Sequence, residues 1–278
     1  MAPPEPGRRR LIVNADDFGR SLAINEAIEA AHRDGILTSA SLMVNEPFAA
    51  DAVARARTCP ALGIGLHLTL ACGRAALPTE ANPGLAGADG QLPASAARAG
   101  WRYFFRRDQR AALQREIAAQ LDAFTRTGLP LDHVNGHLNI HLHPVVLRLL
   151  LDLAPARGIR ALRLTRDRFW LNARLARGAW AYRFSHAVIF NLLSAWARPR
   201  LRRAGLRHPG HVFGLLQNGR VDEAYLLRLL PRLPAGDSEL YSHPSLTDFR
   251  SEFEALVSPR VRALAAAEGI RFIRYQDL

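Results

Sequence analysis

The chain has 278 residues, enough for one α/β barrel or two small domains, and its 49% hydrophobic content is ordinary for a soluble enzyme and argues against disorder. The formal charge of +12 comes from 37 basic residues that are all arginine, a bias that overall composition can produce, so the distribution of charge is more informative than its sum. No uninterrupted apolar run approaches the ~20 residues of a membrane span, and two cysteines, Cys59 and Cys72, argue against a disulfide framework and predict reduced thiols.

The opening "MAPPEPGRRRLIVNADDFG" sets a basic run directly before acidic residues, with neither an apolar core nor a small-residue cleavage site, and predicts a cytoplasmic location. "RLIVNADD" reads as a buried strand, and Ile24, Ala27, Ile28 and Ala31 then recur at helical spacing before a glycine stop. "LTSASLMV" is a second strand, "EPFAADAVARART" a helix and "GIGLHLTL" a third strand. Residues 73–97, rich in Gly, Pro and Ala, predict a long loop of the kind that carries function. A long amphipathic helix, "RRDQRAALQREIAAQLDAFTRTG", leads into "DHVNGHLNIHLHP", where His133, Asn135, His137, Asn139, His141 and His143 alternate with mostly apolar residues, a period-2 pattern that favours a strand.

Pro144 suits the first turn of the helix "PVVLRLLLDLAPARG". There follow a strand "IRALRL", an unusual segment over 168–210, a strand "HVFGLL", a helix "DEAYLLRLLPRL", a strand "SELYSHP", one helix "EFEALVSPRVRALAAAEG" and a last strand "IRFIRY". Some seven or eight βα units without internal repeats predict a single modified (β/α) TIM-like barrel over 1–278, with 168–210 as an insert. A doubly wound open sheet is the alternative, but the chain has neither GxGxxG nor a GK[ST] phosphate loop.

Reactive groups in a barrel sit at the carboxyl ends of strands. Four polar clusters fall there: Asn14, Asp16 and Asp17; His67; His133, Asn135, His137 and His141; and His243. One carboxylate with two neutral imidazoles makes a three-ligand set that leaves positions open for water and substrate, as catalytic zinc requires. Taken singly, Asp-Asp before Phe-Gly can be a turn and His67 a satisfied core histidine. Four histidines in eleven residues are harder to dismiss, although the "HLH" spacing of His141 and His143 leaves the choice of ligand open and His133 and His143 are the expected structural members.

"LIVNADDFG", "GIGLHLTL", "DHVNGHLNIHLHP" and "ELYSHPS", in this order, resemble the YdjC family of carbohydrate deacetylases, from about residue 10 to the C-terminus. The resemblance implies a modified (β/α) barrel that removes acetyl groups from N-acetylated sugars with one divalent ion, Zn²⁺ or Mg²⁺. It implies Asp17, His67 and His137 as metal ligands, Asp16 as general base, His243 as general acid and Arg163 as an arginine orienting the base or the acetate. Asn14, His133, Asn135 and His141 then stand behind these groups or against substrate. The chain departs from the family where "SHHHVH" is replaced by "GHLNIH", putting Leu138 and Asn139 in place of two histidines, and where "HPG" becomes "HPS".

Residues 168–221 hold ten arginines and no Asp or Glu, together with Trp170, Trp180 and Trp196 around the apolar "HAVIFNLLSAWA". Arginine flanks around an aromatic and aliphatic centre are the composition of an interfacial helix on an anionic membrane surface; a barrel helix with solvated arginines is the competing reading. Nucleic acid is not expected, because the aromatics are embedded in aliphatic runs. The insert makes the chain similar to the hopanoid-biosynthesis-associated deacetylases, which implies an amphiphilic substrate with an N-acetylglucosamine head group and peripheral contact with the inner membrane face through 168–210. Deacetylation of soluble chitooligosaccharides, a non-catalytic glycolipid-binding barrel and a metal-dependent phosphoesterase are the competing functions.

Overall fold

β1 (Arg9–Phe18) is the central strand of the computed structural model, buried from Leu11 onward and paired in parallel with three others. Residues 9–176 and 178–278 are described; the first eight residues, on which the cytoplasmic expectation draws, and Arg177 of the insert lie outside them. α1 (Leu22–Asp34) starts where the Ser21 side chain accepts from the Ile24 amide, and it buries Ala27, Ile28 and Ala31. β2 (Ser39–Leu42), α2 (Ala49–Thr58) and β3 (Gly63–Leu68) follow in βαβ succession. Then come α3 (Ala96–Phe105), α4 (Arg110–Arg126), β4 (Val134–Gly136), α5 (Pro144–Leu153), α6 (Phe169–Leu175), α7 (Trp180–Arg203), β5 (His211–Phe213), α8 (Glu223–Leu229), β6 (Gly236–Ser242), α9 (Arg250–Val257), α10 (Pro259–Ala267) and β7 (Arg271–Ile273).

The strands lie in the order β4-β3-β2-β1-β6-β5, with β7 beside residues 10–12 of β1, and every pairing is parallel. Between β4 and β5 the ring is carried by single bridges, Val134 to Leu162 and Ala161 to Arg207, and by the Val212 amide on the Arg166 carbonyl. The fold is therefore an α/β barrel of parallel strands, incomplete on this side. The expected strand "IRALRL" is reduced to these bridges.

Three further expectations change. The alternating stretch at 134–142 is a strand only to Gly136; His137–Leu142 form a tight 3-10 turn in which Leu138 and Asn139 have φ of 55° and 56°. Two successive left-handed residues cannot continue a strand, so the alternation ends in a turn that buries Ile140 and Leu142 and leaves Leu138 exposed. The helix expected over 252–269 breaks into α9 and α10 because Pro259 lacks an amide hydrogen and drives Ser258 to ψ 122°, where its side chain caps α10. Finally, the predicted loop ends at Ser95, which caps the unanticipated α3 by accepting from the Arg98 amide.

The insert forms α6 and α7. Small residues of α7, Ala187, Ser194 and Ala197, face the barrel, while Phe184, Val188, Ile189 and Leu192 are exposed, Leu192 to 67%. Among the described residues no helix is long and apolar enough to cross a membrane. Buried Asp167 ties the insert down: its carboxylate accepts from the Arg168 and Leu216 amides and from Asn172 Nδ2, and Asn172 Oδ1 in turn accepts from Arg183 and Gln217. Burial pushes the Asp167 carboxyl up to about 6 despite these donors. A carboxyl raised in the native state holds its proton more tightly there, so its stabilisation is present at low pH and is lost as pH rises through about 6. Asp167→Asn is expected to remove a pH-dependent loss of roughly 3 kcal/mol between about pH 4 and pH 7; urea unfolding of both proteins across that range checks it, and parallel curves refute it.

Candidate active site

Alternation along a strand would point Asp16 and Asp17 to opposite faces. The pairing of β1 with β2 slips between Ala15 and Phe18, and Asp17 has φ 64°, so both carboxylates reach the cavity at the barrel mouth. The left-handed conformation costs on the order of 1 kcal/mol and is held by surrounding pairing. Arg20, one turn along, donates from Nη1 to Asp17 Oδ2 at 3.0 Å.

β3 brings His67 to the same point, with Nε2 3.3 Å from Asp17 Oδ1, and His137 at the end of β4 places Nδ1 3.0 Å from the same oxygen. His67 Nδ1 donates to Asn135 Oδ1 at 2.7 Å, which fixes the ring orientation and makes Nε2 the atom that faces Asp17. One ligand atom from each of Asp17, His67 and His137 lies within 4.8 Å of the others, and all three residues are buried. One carboxylate oxygen and two imidazole nitrogens, oriented by an outer hydrogen bond and open on the cavity side, fit a divalent ion. Burial raises the Asp17 carboxyl, but His137 and His67 outweigh it and hold the group well below the usual carboxylate range.

Asp16 sits beside this set within a buried ion network. Arg163 Nη1 and Nη2 donate to its two oxygens at 2.7 and 2.9 Å, and Asn14 and Asn135 donate to Oδ1 at 2.9 and 3.1 Å. Burial opposes its charge, yet the Arg163 guanidinium, with His67 and His243 near by, holds the Asp16 carboxyl well below its ordinary value. Arg163 also donates from Nε and Nη2 to Glu239 Oε1, at 3.0 and 2.7 Å, and lies over the Tyr241 ring at 4.3 Å. It is fully buried and does not line the cavity, so its contacts are with Asp16 and Glu239.

His243 follows β6 and lines the cavity between the Tyr241 and Phe249 rings, while its amide donates to buried Glu252 at 2.6 Å. The remaining histidines of the cluster diverge. His133 stacks on Tyr275 at 4.1 Å and bridges Asp132 Oδ2 and Ser41 Oγ, which in turn accepts from Asn14 and Asn135. His141 lies behind Gly136, its Nε2 donating to the Arg163 carbonyl; burial first and Arg163 second push it down to about 3. His143 caps α5 by accepting from the Val145 amide. Only His137 of the four reaches the Asp17–His67 pair. Gly63 and Gly65 of β3 make room for this layer, because a Cβ would lie 2.6 Å from Asp132 at one and 2.4 Å from the His133 ring at the other.

The cavity has a volume of about 760 Å³. The β1, β3, β4 and β6 ends form its floor, and α7 contributes Tyr182, His186, Ile189, Phe190 and Leu193 to its wall. The YdjC-like protein family model matches residues 10–267 of the chain. The chain belongs to the YdjC-like family.

Carbohydrate deacetylases of Brevibacillus brevis and Geobacillus stearothermophilus are 40% identical to this YdjC-like chain over 152 residues and 38% over 161, covering 52% and 56% of it and 55% and 62% of themselves. The chain thus aligns with little more than half of these relatives. A solved structure from Enterococcus faecalis V583, described as a cellobiose-phosphate cleavage protein, shares the fold over 98% of this chain and 99% of its own, with TM-score 0.72 and 24% identity. An uncharacterized protein of Agrobacterium tumefaciens C58 does so less closely, at TM-score 0.53 and 14% identity over 99% of this chain and 91% of its own.

Residue reading missed Glu239, Tyr241, Glu252 and Arg20. The detectable signal was an acid inside the otherwise uncharged "SELYS", since a carboxylate buried in a strand requires a cationic partner. In this YdjC-like site Arg163→Met leaves Asp16 and Glu239 buried without their counter-charge. We expect a stability loss of roughly 3 to 5 kcal/mol, read from chemical unfolding, and a loss near zero would remove the network from its supporting role.

Proposed function

We propose that this YdjC-like chain hydrolyses the N-acetyl group of an N-acetylhexosamine head group carried by an amphiphile. The N-acetylglucosaminyl hopanoid implied by the sequence resemblance is the substrate to test first. Asp17, His67 and His137 hold one divalent ion, Zn²⁺ or Mg²⁺. The observation that carries the reading is the convergence of this ligand set with Asp16 and His243 on one cavity at the barrel mouth. The two aligned carbohydrate deacetylases support the reaction class.

A bound divalent ion supplies carbonyl polarisation and a water whose pKa falls towards ~7, the acidity that a base as weakly basic as Arg163-paired Asp16 requires. Asp16 accepts one proton from the attacking water, whose oxygen bonds to the acetamide carbon. As the carbon–nitrogen bond breaks, the His243 imidazolium gives its proton to the departing nitrogen. The products are acetate and a free amine. Arg163 keeps Asp16 ionised and fixed without touching the substrate, and Asn135 holds His67 and Asp16 in one frame.

The substrate class rests on the wall that α7 supplies. Tyr182 and His186 offer polar edges near the site, and Ile189, Phe190 and Leu193 continue as an apolar surface. A polar head with an apolar tail matches this gradient better than a soluble oligosaccharide does. In this reading residues 168–210 rest on the inner membrane face, where exposed Trp170, Phe184 and Leu192 meet lipid.

Acetate release from acetylglucosaminyl hopanoid should fall at least roughly a hundredfold in His243→Ala and vanish in Asp17→Asn/His137→Ala. Chelation should abolish it, and the ion that restores it identifies the metal. An active double variant ends the assignment of the ligands, and a wild-type protein that releases no acetate with or without added ion is the non-catalytic barrel. Ile189→Ser/Leu193→Ser should lower kcat/KM more for the lipid than for chitooligosaccharide, and equal losses favour the soluble substrate.

A further inference from the structure

α3 carries an apolar surface that the reading of the insert does not involve. Trp101, Phe104 and Phe105 lie three and four residues apart on one helical face, are each at least half exposed, and contact one another with centroids 4.3 Å apart for Trp101 and Phe105 and 5.1 Å for Phe104 and Phe105. One turn earlier on the same face, Ala97 and Gly100 line the cavity. The aromatic cluster is therefore the outward continuation of the cavity lip.

The opposite lip is α7, where Phe184, Val188 and Leu192 recur every four residues beside cavity-lining Ile189. Both helices pack against the turn His137–Leu142, and Leu138, 46% exposed, stands between them on the cavity wall. Three separated apolar surfaces thus border one opening. Charge surrounds them: from Gly90 to Arg115 there are six arginines and one acid, Asp108, which pairs with Arg106. Arg98, Arg107 and Arg110 are exposed around the α3 cluster.

We propose that α3 is a second membrane-docking element, so that an anionic lipid surface covers both lips of the cavity and the mouth opens directly onto it. Exposed aromatics with flanking arginines have the composition of an interfacial helix. A broad planar partner is the one that satisfies surfaces on α3, on Leu138 and on α7 together. A second copy of the chain would bring arginine against arginine, whereas phosphate head groups supply the missing negative charge. The proposal rests on the amphiphilic-substrate reading for its purpose, but its binding test does not depend on catalysis.

The full-length protein is sedimented with phosphatidylcholine vesicles that contain or lack phosphatidylglycerol. Wild type should bind the anionic vesicles, lose binding as salt rises, and bind the neutral ones at least about tenfold more weakly. Trp101→Ala/Phe104→Ala/Phe105→Ala should bind anionic vesicles at least about tenfold more weakly, with an unchanged melting curve and unchanged acetate release from chitooligosaccharide. Arg98→Glu/Arg107→Glu keeps the rings and should lose the preference for phosphatidylglycerol. Wild-type binding by the triple variant, failure of wild type to sediment, or a wild-type dimer that the triple variant abolishes overturns the proposal. Absence of acetate release from every substrate with vesicle binding intact overturns the deacetylase reading instead.

Discussion

The guanidinium of Arg163, fully buried between Asp16 and Glu239, holds together the part of the barrel where strand pairing is thinnest. The segment around residues 161–166 joins β4 to β5 through single bridges, too few backbone hydrogen bonds to close a ring firmly. Arg163 adds side-chain bonds from this segment to β1 through Asp16 and to β6 through Glu239. Tyr275, near the C-terminus, donates its hydroxyl to the other oxygen of Glu239. Taking these charges from water is costly, and only complete pairing offsets that cost. The same interaction fixes Asp16 at the cavity floor, so barrel closure and site geometry share one physical cause.

Around this network the polar groups form an ordered chain. Asp132 orients His133, His133 meets Ser41, Ser41 accepts from Asn14 and Asn135, and these amides hold Asp16 and His67. Each member is buried and has partners, which is the condition under which such a network makes a site rigid instead of weakening the core. The bulge at Asp16 and Asp17 works with it: the network fixes the first carboxylate, and the left-handed backbone turns the second towards His67 and His137.

The mouth follows a different logic from the floor. Its lips are apolar and aromatic on the outside and mixed on the inside, in contrast to the charged and polar floor. In this chain the candidate ligands come from the strand ends, while α3 and α7, outside the parallel ring, line the cavity mouth.

Much of this was legible from the residues. Strand and helix alternation pointed to a parallel barrel, and the polar clusters at Asp16 and Asp17, His67, the 133–143 histidines and His243 stood out because polar groups at the ends of apolar strands have few structural uses, while the family resemblance singled out His137 among the histidines. Local pattern could not show which histidine of "DHVNGHLNIHLHP" meets Asp17, since two left-handed residues at Leu138 and Asn139 break the alternation that suggested a strand. Nor could it pair Arg163 with Glu239, 76 residues apart, or set α3 against α7 across one opening. Periodicity reports burial along a segment, and so the sequence by itself determined the elements and the reactive residue types. Which side chains face one another, and which apolar faces remain uncovered, depends on contacts between distant segments, and only the tertiary structure decided them.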